Sequence, residues 1–591
     1  MTIRIETDVL IVGSGPAGGS MALALATYGI DHVVITRFGR LVRTPRAHIT
    51  NQRAMEILRD LGVEDQVIDD ATPKEWMGNN VFCETLAGDE LGRIYSWQMH
   101  PQSEAEAKMA SPTRINDTPQ NYMEPILIYN ATQRGSMIRY NTEYLNHEQD
   151  NDGVTVIVKD HLTDETYEIR CKYLYGADGG NSKVAENCGF EFGGEMGVGG
   201  SMNIVFDADL SKYVSHRPSV LYWVMQPGAD IGGIGMGLVR MIRPWHKWLI
   251  VWGYDINQGA PEITDEYAIG VARELIGDPD IEIKIDSYST WTVNNSYGLQ
   301  NTDRRVFCGG DAMHRHPPSN GLGSNTSMQD SYNLAWKLAM VLRSQASEAL
   351  LETYNTERIP IAKQIVTRAN QSIEEFGPIF DAIGFLTTED PDEKKANMAK
   401  RKENTPEAAK QREALRQAIL FKKYEFNAHG VDMNHFYESD AVVSDGTPKP
   451  IPDRDPELHY FRTTYPGTKV PHNWFRRGPY GGTEILATLD LCCQGRFTLL
   501  TGIGGEGWVE AAEAYSAATG VPIETVVVGP SRDVEDIYQE WADIREVDED
   551  GCLLVRPDGY IGWRSQSASG NAGEQISSAM NQILDRDLKG S

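Results

Sequence analysis

No apolar run in this 591-residue chain approaches the roughly 20 residues that a membrane span requires. The amino terminus has no cleavable signal pattern, and its short apolar stretch reads better as a strand. Cysteine is scarce: seven are scattered along the chain, with no Cys-x-x-Cys pair, and Cys492 and Cys493 are adjacent. That usage excludes a disulfide framework and a zinc site, and it suits reduced thiols in the cytoplasm. Positive charge is also short, with 55 Lys and Arg against 84 Asp and Glu and a net charge of −29. Nucleic acid and anionic membrane surfaces both need a basic footprint, so neither is an expected partner. What remains is an acidic, soluble globular chain with core enough for two or three domains.

Two stretches stand out against that background. Asp8–Val12 (DVLIV) is an apolar strand that runs into Gly13-Ser-Gly15-Pro16-Ala17-Gly18 and then a helix through Met21, Leu23 and Leu25. His32–Ile35 supplies the next strand. Strand, Gly-x-Gly-x-x-Gly turn and helix in one βαβ unit predict dinucleotide binding: one Gly makes the turn, one admits a pyrophosphate, one lets helix and strand approach. The acid that usually holds a ribose at the second strand's end is replaced by Thr36 and Arg37, which disfavours NAD as the resident nucleotide. The second stretch, Arg304–Gln329, has a short strand Val306–Cys308, a Gly309-Gly310 turn, Asp311, a loop rich in His, Pro and Gly, and a helix expected to begin near Asn325. A free acid beside a helix N-terminus suits a polyhydroxylated, anionic cofactor. An ordinary strand–turn–helix with Asp311 as a cap is the alternative.

The run GGDAMHRHPPSNGLGSNTSMQDSYNLAWKL resembles the second flavin motif of the single-component (class A) FAD-dependent aromatic hydroxylases, the phenol hydroxylase family. The resemblance implies noncovalent FAD, with Asp311 on the ribityl chain or pyrophosphate and Pro318, Gly321, Leu322, Gly323 and Asn325 around the isoalloxazine. Pro317 is placed in the substrate pocket. Asn320 stands where the family usually has Gly, and Asn tolerates a left-handed backbone better than most residues. Gly176-Ala-Asp178-Gly179 is similar to the family's Asp-Gly motif, and Gln120 to a Gln that contacts the ribityl or phosphate region. Arg46, in a loop beside the dinucleotide fold, is a phosphate clamp. His48, in the same loop, falls where the family's substrate meets the flavin.

The resemblance extends over nearly the whole chain. It implies an α/β fold: a Rossmann-like FAD-binding domain (1–75, 105–200 and 285–390), an inserted antiparallel-sheet substrate domain (76–104 and 201–284), a helical connector (391–449) and a thioredoxin-like C-terminal domain (450–591). The last, behind a Pro-rich linker at 448–456 and without a Cys pair, is expected to be separable and without redox activity. Residues 200–300 are rich in aromatic and β-branched runs, including Gly233–Ile242. Tyr222, Trp223, Met225, Arg240 and Trp252 are candidates for pocket walls, although each alone could simply pack a sheet face. The implied reaction is ortho-hydroxylation of a substituted phenol to a catechol with NADH or NADPH and O2, through a flavin hydroperoxide, in a homodimer or homotetramer. A phenol resembles Tyr, with a pKa of roughly 10, so a base is needed at neutral pH. His48 is the candidate, with Arg240 next. A flavin dehydrogenase or reductase without oxygen insertion is the alternative. The chain has no Trp-x-Trp-x-Ile signature of a flavin halogenase.

Overall fold

The computed structural model describes residues 4–227, 236–478 and 482–586. Three sheets carry the architecture. The first is built on the parallel strands Arg4–Val12, His32–Ile35, Met137–Arg139, Thr166–Gly176 and Val306–Cys308, with Arg4–Val12 between Thr166–Gly176 and His32–Ile35. Val9, Leu10 and Ile11 are fully buried, as a central parallel strand covered on both faces requires. At the strand's end Gly13 takes φ +110°, and a Cβ there would lie 2.2 Å from the Ala177 carbonyl oxygen. A Cβ at Gly18 would lie 1.9 Å from the Gly13 oxygen, so this turn admits only glycine at both places.

The second sheet has eight strands. Two long ones, Phe192–Asp207 and Lys284–Gly298, pair with each other and lead from the first sheet into the second and back. Between them fall Leu221–Val224, Gly237–Arg243 and Lys247–Tyr254. The first part of the expected strand Gly233–Ile242 lies outside the described residues. The hairpin Asn79–Cys83 and Glu90–Tyr95, in a stretch that offers no clear period in sequence, completes the sheet by pairing in parallel with Leu221–Val224.

The third sheet pairs Phe497–Gly502 in parallel with Ile523–Val528 through the helix Glu506–Thr519. It then adds Cys552–Val555 and Ile561–Ser565 antiparallel. This βαβ…ββ order is the thioredoxin-like arrangement. Cys492 and Cys493 are buried in its core, with burial raising both thiol pKa values, so neither is poised for exchange.

This sheet packs directly on the rest of the chain. Leu499, Trp508 and Ile576 belong to the same continuous core as Val9, Met21 and Trp336. Buried ion pairs cross the boundary: Arg556 Nη1 reaches Glu357 Oε1 at 2.6 Å, and Lys469 Nζ reaches Glu56 Oε1 at 2.9 Å. The Pro-rich linker signals a change of element, but the packing surface beyond it is continuous.

Candidate active site

The two flavin-type motifs meet face to face. Ser331 Oγ donates to the Ala17 carbonyl at 2.7 Å, and a Cβ at Gly310 would lie 3.0 Å from the Ala17 methyl. Pro16 opens the helix Pro16–Thr27 with no side-chain cap. Outside Gly15 the nearest atom to an added Cβ is Glu124 Oε1 at 3.8 Å, so that face is open to a ligand. Asp311 is exposed, and among the described residues nothing hydrogen-bonds to its carboxylate. Arg37 and Arg46 are exposed and have no carboxylate partner among the described residues. An open glycine face, an unspent acid and unpaired cations are the donor set that a dinucleotide with hydroxyls and a pyrophosphate needs, so the residues fit FAD.

Several expected contacts look different in detail. Gln120 Nε2 donates to Glu124 Oε1 at 2.6 Å, and Val42 N donates to Glu124 Oε2 at 3.0 Å. Gln120 therefore orients a buried acid beside Gly15 that the sequence reading missed; the i,i+4 spacing on the helix Gln120–Gln133 is the signal. Thr36 is buried, and its Oγ1 accepts from Phe38 N at 3.4 Å. Asp178 is committed to its own helix: Oδ1 accepts from Ser182 Oγ at 2.5 Å, and Oδ2 from Lys183 N and Val184 N. It is a cap, and the neighbouring Gly179 is at φ +82° with nothing within 4 Å of an added Cβ.

The helix after the Pro-Pro loop begins at Leu322, three residues before the expected Asn325. Asn320 (φ +61°) and Gly321 (φ +65°) both take the left-handed conformation that the Asn substitution allows. Gly321 leaves the helix without a side-chain cap, so the first N–H groups, from Leu322 and Gly323 on, are free for an anionic group. Asn325 is not free for a ligand. Its Nδ2 donates to Ile49 O and Gly321 O, and its Oδ1 accepts from Asn51 N, fixing the His48 loop to the Pro-Pro loop. Pro317 is buried and Pro318 exposed.

His48 sits where the region around the first sheet meets the second sheet. Ile49–Thr50 pairs with Asn116–Asp117 in a two-residue ladder, which brings Asp117 under the imidazole. His48 Nδ1 lies 3.0 Å from Asp117 Oδ1, and Arg240 Nη2 donates to the same oxygen at 2.6 Å. Thr72 Oγ1 donates to Asp117 Oδ2 at 2.6 Å. Asp117 is fully buried and is held below the usual carboxylate range: burial raises its pKa, but Arg240, His48 and Thr72 outweigh it. An ionised Asp117 makes Nδ1 the protonated nitrogen and leaves Nε2 as the acceptor. Burial, then the Arg240 charge, pulls the His48 pKa down to about 4, so the ring is neutral at neutral pH. Its side chain keeps 18% exposure while that of Asp117 has none. Arg240 is 1% exposed, and its Nε and Nη1 have no protein partner.

Strand alternation decides which sheet residues face this centre. Arg240 is opposite Leu221, so Arg240, Leu221 and Trp223 share one face, while Tyr222 lies on the other. Tyr222 packs on Trp248 with ring centroids 6.3 Å apart and donates to Arg217 O at 3.0 Å, so it belongs to the sheet core and not to a pocket. Trp223 faces the right way but lies behind the pocket, its ring 6.0 Å from Phe426 and its Nε1 donating to Asn80. Met225 is buried in the sheet core and Trp252 half-buried, and neither lines the cavity described next.

That cavity lies between five stretches of chain. Ile49 and Ile115 come from the His48–Asp117 ladder, Asn320 and Leu322 from the Pro-Pro loop, and Trp97 and Gln98 from the turn after Glu90–Tyr95. The far wall is Glu425–His429, Val431 and Asp432.

Comparison with known proteins identifies the family. Residues 6–369 match the FAD binding domain family, and residues 463–587 match the aromatic-ring hydroxylase C-terminal domain. The chain belongs to the FAD-dependent aromatic-ring hydroxylases. It is 51% identical to a 2,4-dichlorophenol 6-monooxygenase of Delftia acidovorans, covering 98% of each chain. It is 50% identical to a phenol 2-monooxygenase of a Pseudomonas species, covering 95% of this chain and 90% of that one. The flavin-dependent monooxygenase PieE, solved with FAD and substrate, superposes with a TM-score of 0.93 at 40% identity over 99% of this chain and all of that one. This hydroxylase therefore takes FAD as its cofactor. Among its described residues no helix is long and apolar enough to cross a membrane.

Proposed function

We propose that this hydroxylase converts a substituted phenol to a catechol by hydroxylation ortho to the existing hydroxyl, with NADH or NADPH and O2 as co-substrates. The observation that carries the reading is the His48–Asp117–Arg240 centre beside the flavin loop. Bound FAD, once reduced by the nicotinamide, supplies the activated oxygen. Gly15, Gln120–Glu124, Arg46 and Asp311 would hold that cofactor, and the free N–H groups at Leu322 would stabilise negative charge on it.

The rest of the chemistry falls to the chain. Attack at the ortho carbon is favoured when the phenol's O–H is polarised toward phenolate. His48 Nε2 accepts the phenol's hydrogen bond, and Asp117 holds the ring in the tautomer that leaves this lone pair free. A histidine held near 4 is a weak base towards a phenol of pKa roughly 10, so it cannot carry the proton alone. Arg240, buried with two unpartnered guanidinium nitrogens, supplies the positive charge that stabilises the forming phenolate. The low dielectric that depresses the His48 pKa also strengthens this interaction.

The cytoplasm is the proposed compartment, on the strength of seven free thiols. A homodimer or homotetramer is the proposed assembly, which light scattering tests. The reaction is tested by supplying substituted phenols, nicotinamide and O2 and counting catechol against nicotinamide oxidised. Near-equal amounts support the reading. Nicotinamide oxidation with no oxygenated product, across the panel, replaces it with a dehydrogenase or reductase.

A further inference from the structure

The far wall of the cavity holds polar groups that the reaction does not use. Asp432 has one hydrogen bond, accepted by Oδ1 from Asn51 Nδ2 at 2.7 Å, and no cation within ion-pair distance among the described residues. Trp97, 4% exposed, lines the same cavity with its indole Nε1–H unpartnered. Asn427 Oδ1, in the same lining, also lacks a hydrogen-bond partner among the described residues, but it can only accept; the other neighbouring polar groups have partners. Glu425 pairs with Lys422 at 2.5 Å, His429 Nε2 donates to Gln52 Oε1 at 2.6 Å, and Asn320 is tied to Tyr424 O and Ser372. Gln98 Nε2 donates to Gln52 Oε1 at 3.3 Å, and the apolar part of the lining is Ile49, Ile115, Leu322, Phe426, Ala428 and Val431.

A buried donor without an acceptor and an acid with one partner are each costly unless a ligand completes them. Together they match a hydroxyl, which accepts through its oxygen and donates through its hydrogen. We propose that this cavity is a specificity site for a second, polar ring substituent of the phenol: a hydroxyl that accepts from Trp97 Nε1 and donates to Asp432.

The proposal rests on the phenol-hydroxylating reading, because it places the reacting hydroxyl at His48 and the rest of the ring against Ile49 and Leu322. Two further features support it. Trp97 and Gln98 are consecutive non-glycine residues held at φ +55° and +60°, a conformation that persists only where the surroundings impose it. Burial without a cation also raises the Asp432 pKa to about 7 against the weaker opposing effect of Asn51, so the carboxyl is available both as donor and as acceptor near neutrality. Asn51 caps the helix Gln52–Asp60 and takes Asn325 Oδ1 on its own N–H. Asp432 is therefore anchored to the same frame that sets the His48 loop.

The test is calorimetric binding to the oxidised, FAD-loaded enzyme without nicotinamide, using hydroxyl- and methyl-substituted phenols matched at the 2-, 3- and 4-positions. The wild type is expected to bind the hydroxyl compound at least about tenfold more tightly at one position, since a site built to hydrogen-bond a hydroxyl rejects its apolar analogue. Asp432→Leu and Trp97→Phe should each erase most of that ratio, while Asp432→Asn, which keeps the shape and hydrogen bonding, should retain part of it. If Asp432→Leu loses FAD on purification, Trp97→Phe decides, because the ring volume is kept. A wild type with no preference at any position, or variants that leave the ratio within about twofold, overturns the proposal. Catechol formation by the wild type is scored separately. Absence of catechol removes the phenol-hydroxylating reading, whereas an unchanged ratio in a catechol-forming enzyme removes only this site.

Discussion

Two of the regions in which this molecule buries charge treat it in opposite ways. At the seam between the FAD-binding region and the C-terminal sheet, each nitrogen of the Arg556 guanidinium has an acceptor: Nε on Asp558, Nη1 on Glu357, Nη2 on both. Glu357 is satisfied in turn by Lys337, Asn333 and Ser439. At the His48 centre, Arg240 has one partner and two idle nitrogens, and His48 uses one ring nitrogen of two. Buried charges that serve the fold are completed by the fold, because an uncompensated one costs several kcal/mol. Incomplete bonding alone does not mark a site, since the fully buried Arg358 also keeps an unpartnered Nη2; at Arg240 it coincides with the His48–Asp117 pair beside the flavin loop. The same contrast separates Asp178, spent on its helix cap, from Asp311, which keeps its carboxylate free.

The comparison breaks most sharply at the seam. Arg556→Ala leaves Asp558 buried without an ion-pair partner among the described residues and Glu357 with Lys337 as its one cation, so it should cost about 3–5 kcal/mol of stability. The midpoint of denaturant unfolding reads this, and a shift too small for 1 kcal/mol would mean that the seam is solvated in solution. Asp117→Asn comes next. It frees the His48 tautomer and removes the only anionic partner of Arg240 among the described residues, so catechol formation should fall about 100-fold or more while FAD stays bound. Loss of flavin in that variant would show that Asp117 serves the fold instead. Asp311→Ala removes a charge-assisted contact worth about 1.5–3 kcal/mol, so FAD affinity should drop roughly ten- to hundredfold. Equilibrium dialysis against free FAD checks it, and full retention would reassign Asp311.

A pH profile sharpens the same contrast. His48 stays neutral until pH falls through about 4, so its acceptor function should persist well below the ordinary histidine value of 6.5. Catechol formation per unit enzyme should therefore hold between pH 8 and about 5 as far as His48 sets it, with the acid loss near 4. A loss centred on 6.5 would mean that the ring is more solvated than its surroundings imply. The smallest effect is expected at Tyr222→Phe, which removes one hydrogen bond to Arg217 O on the face turned away from the site. Stability should fall by about 1 kcal/mol with catalysis intact, and a large catalytic loss would place Tyr222 back at the pocket.

The flavin motifs were legible because turn chemistry is local: Gly13–Gly18 and the Gly309–Asp311 turn carry their geometry in a few adjacent residues. His48 was legible as a candidate but not its partner. Asp117 lies 69 positions away and reaches it through a two-residue ladder too short to leave a period in sequence. Tyr222 and Trp223 could not be sorted without the pairing register, since a shift of one residue exchanges the faces of a strand. The cavity draws on five separate stretches, and no local pattern in Trp97 or Asp432 announces it. The continuity of the C-terminal core was hidden for the same reason: Leu499 and Trp508 read equally well as the core of an independent domain.

The central claim is that the incomplete hydrogen bonding at His48 is there for the phenol. The most direct measurement is the fraction of oxidised nicotinamide that appears as catechol in His48→Ala. The account predicts an FAD-loaded enzyme that still oxidises nicotinamide but forms catechol at least about 100-fold more slowly, with the balance lost as peroxide. Wild-type turnover with wild-type coupling at neutral pH would contradict it.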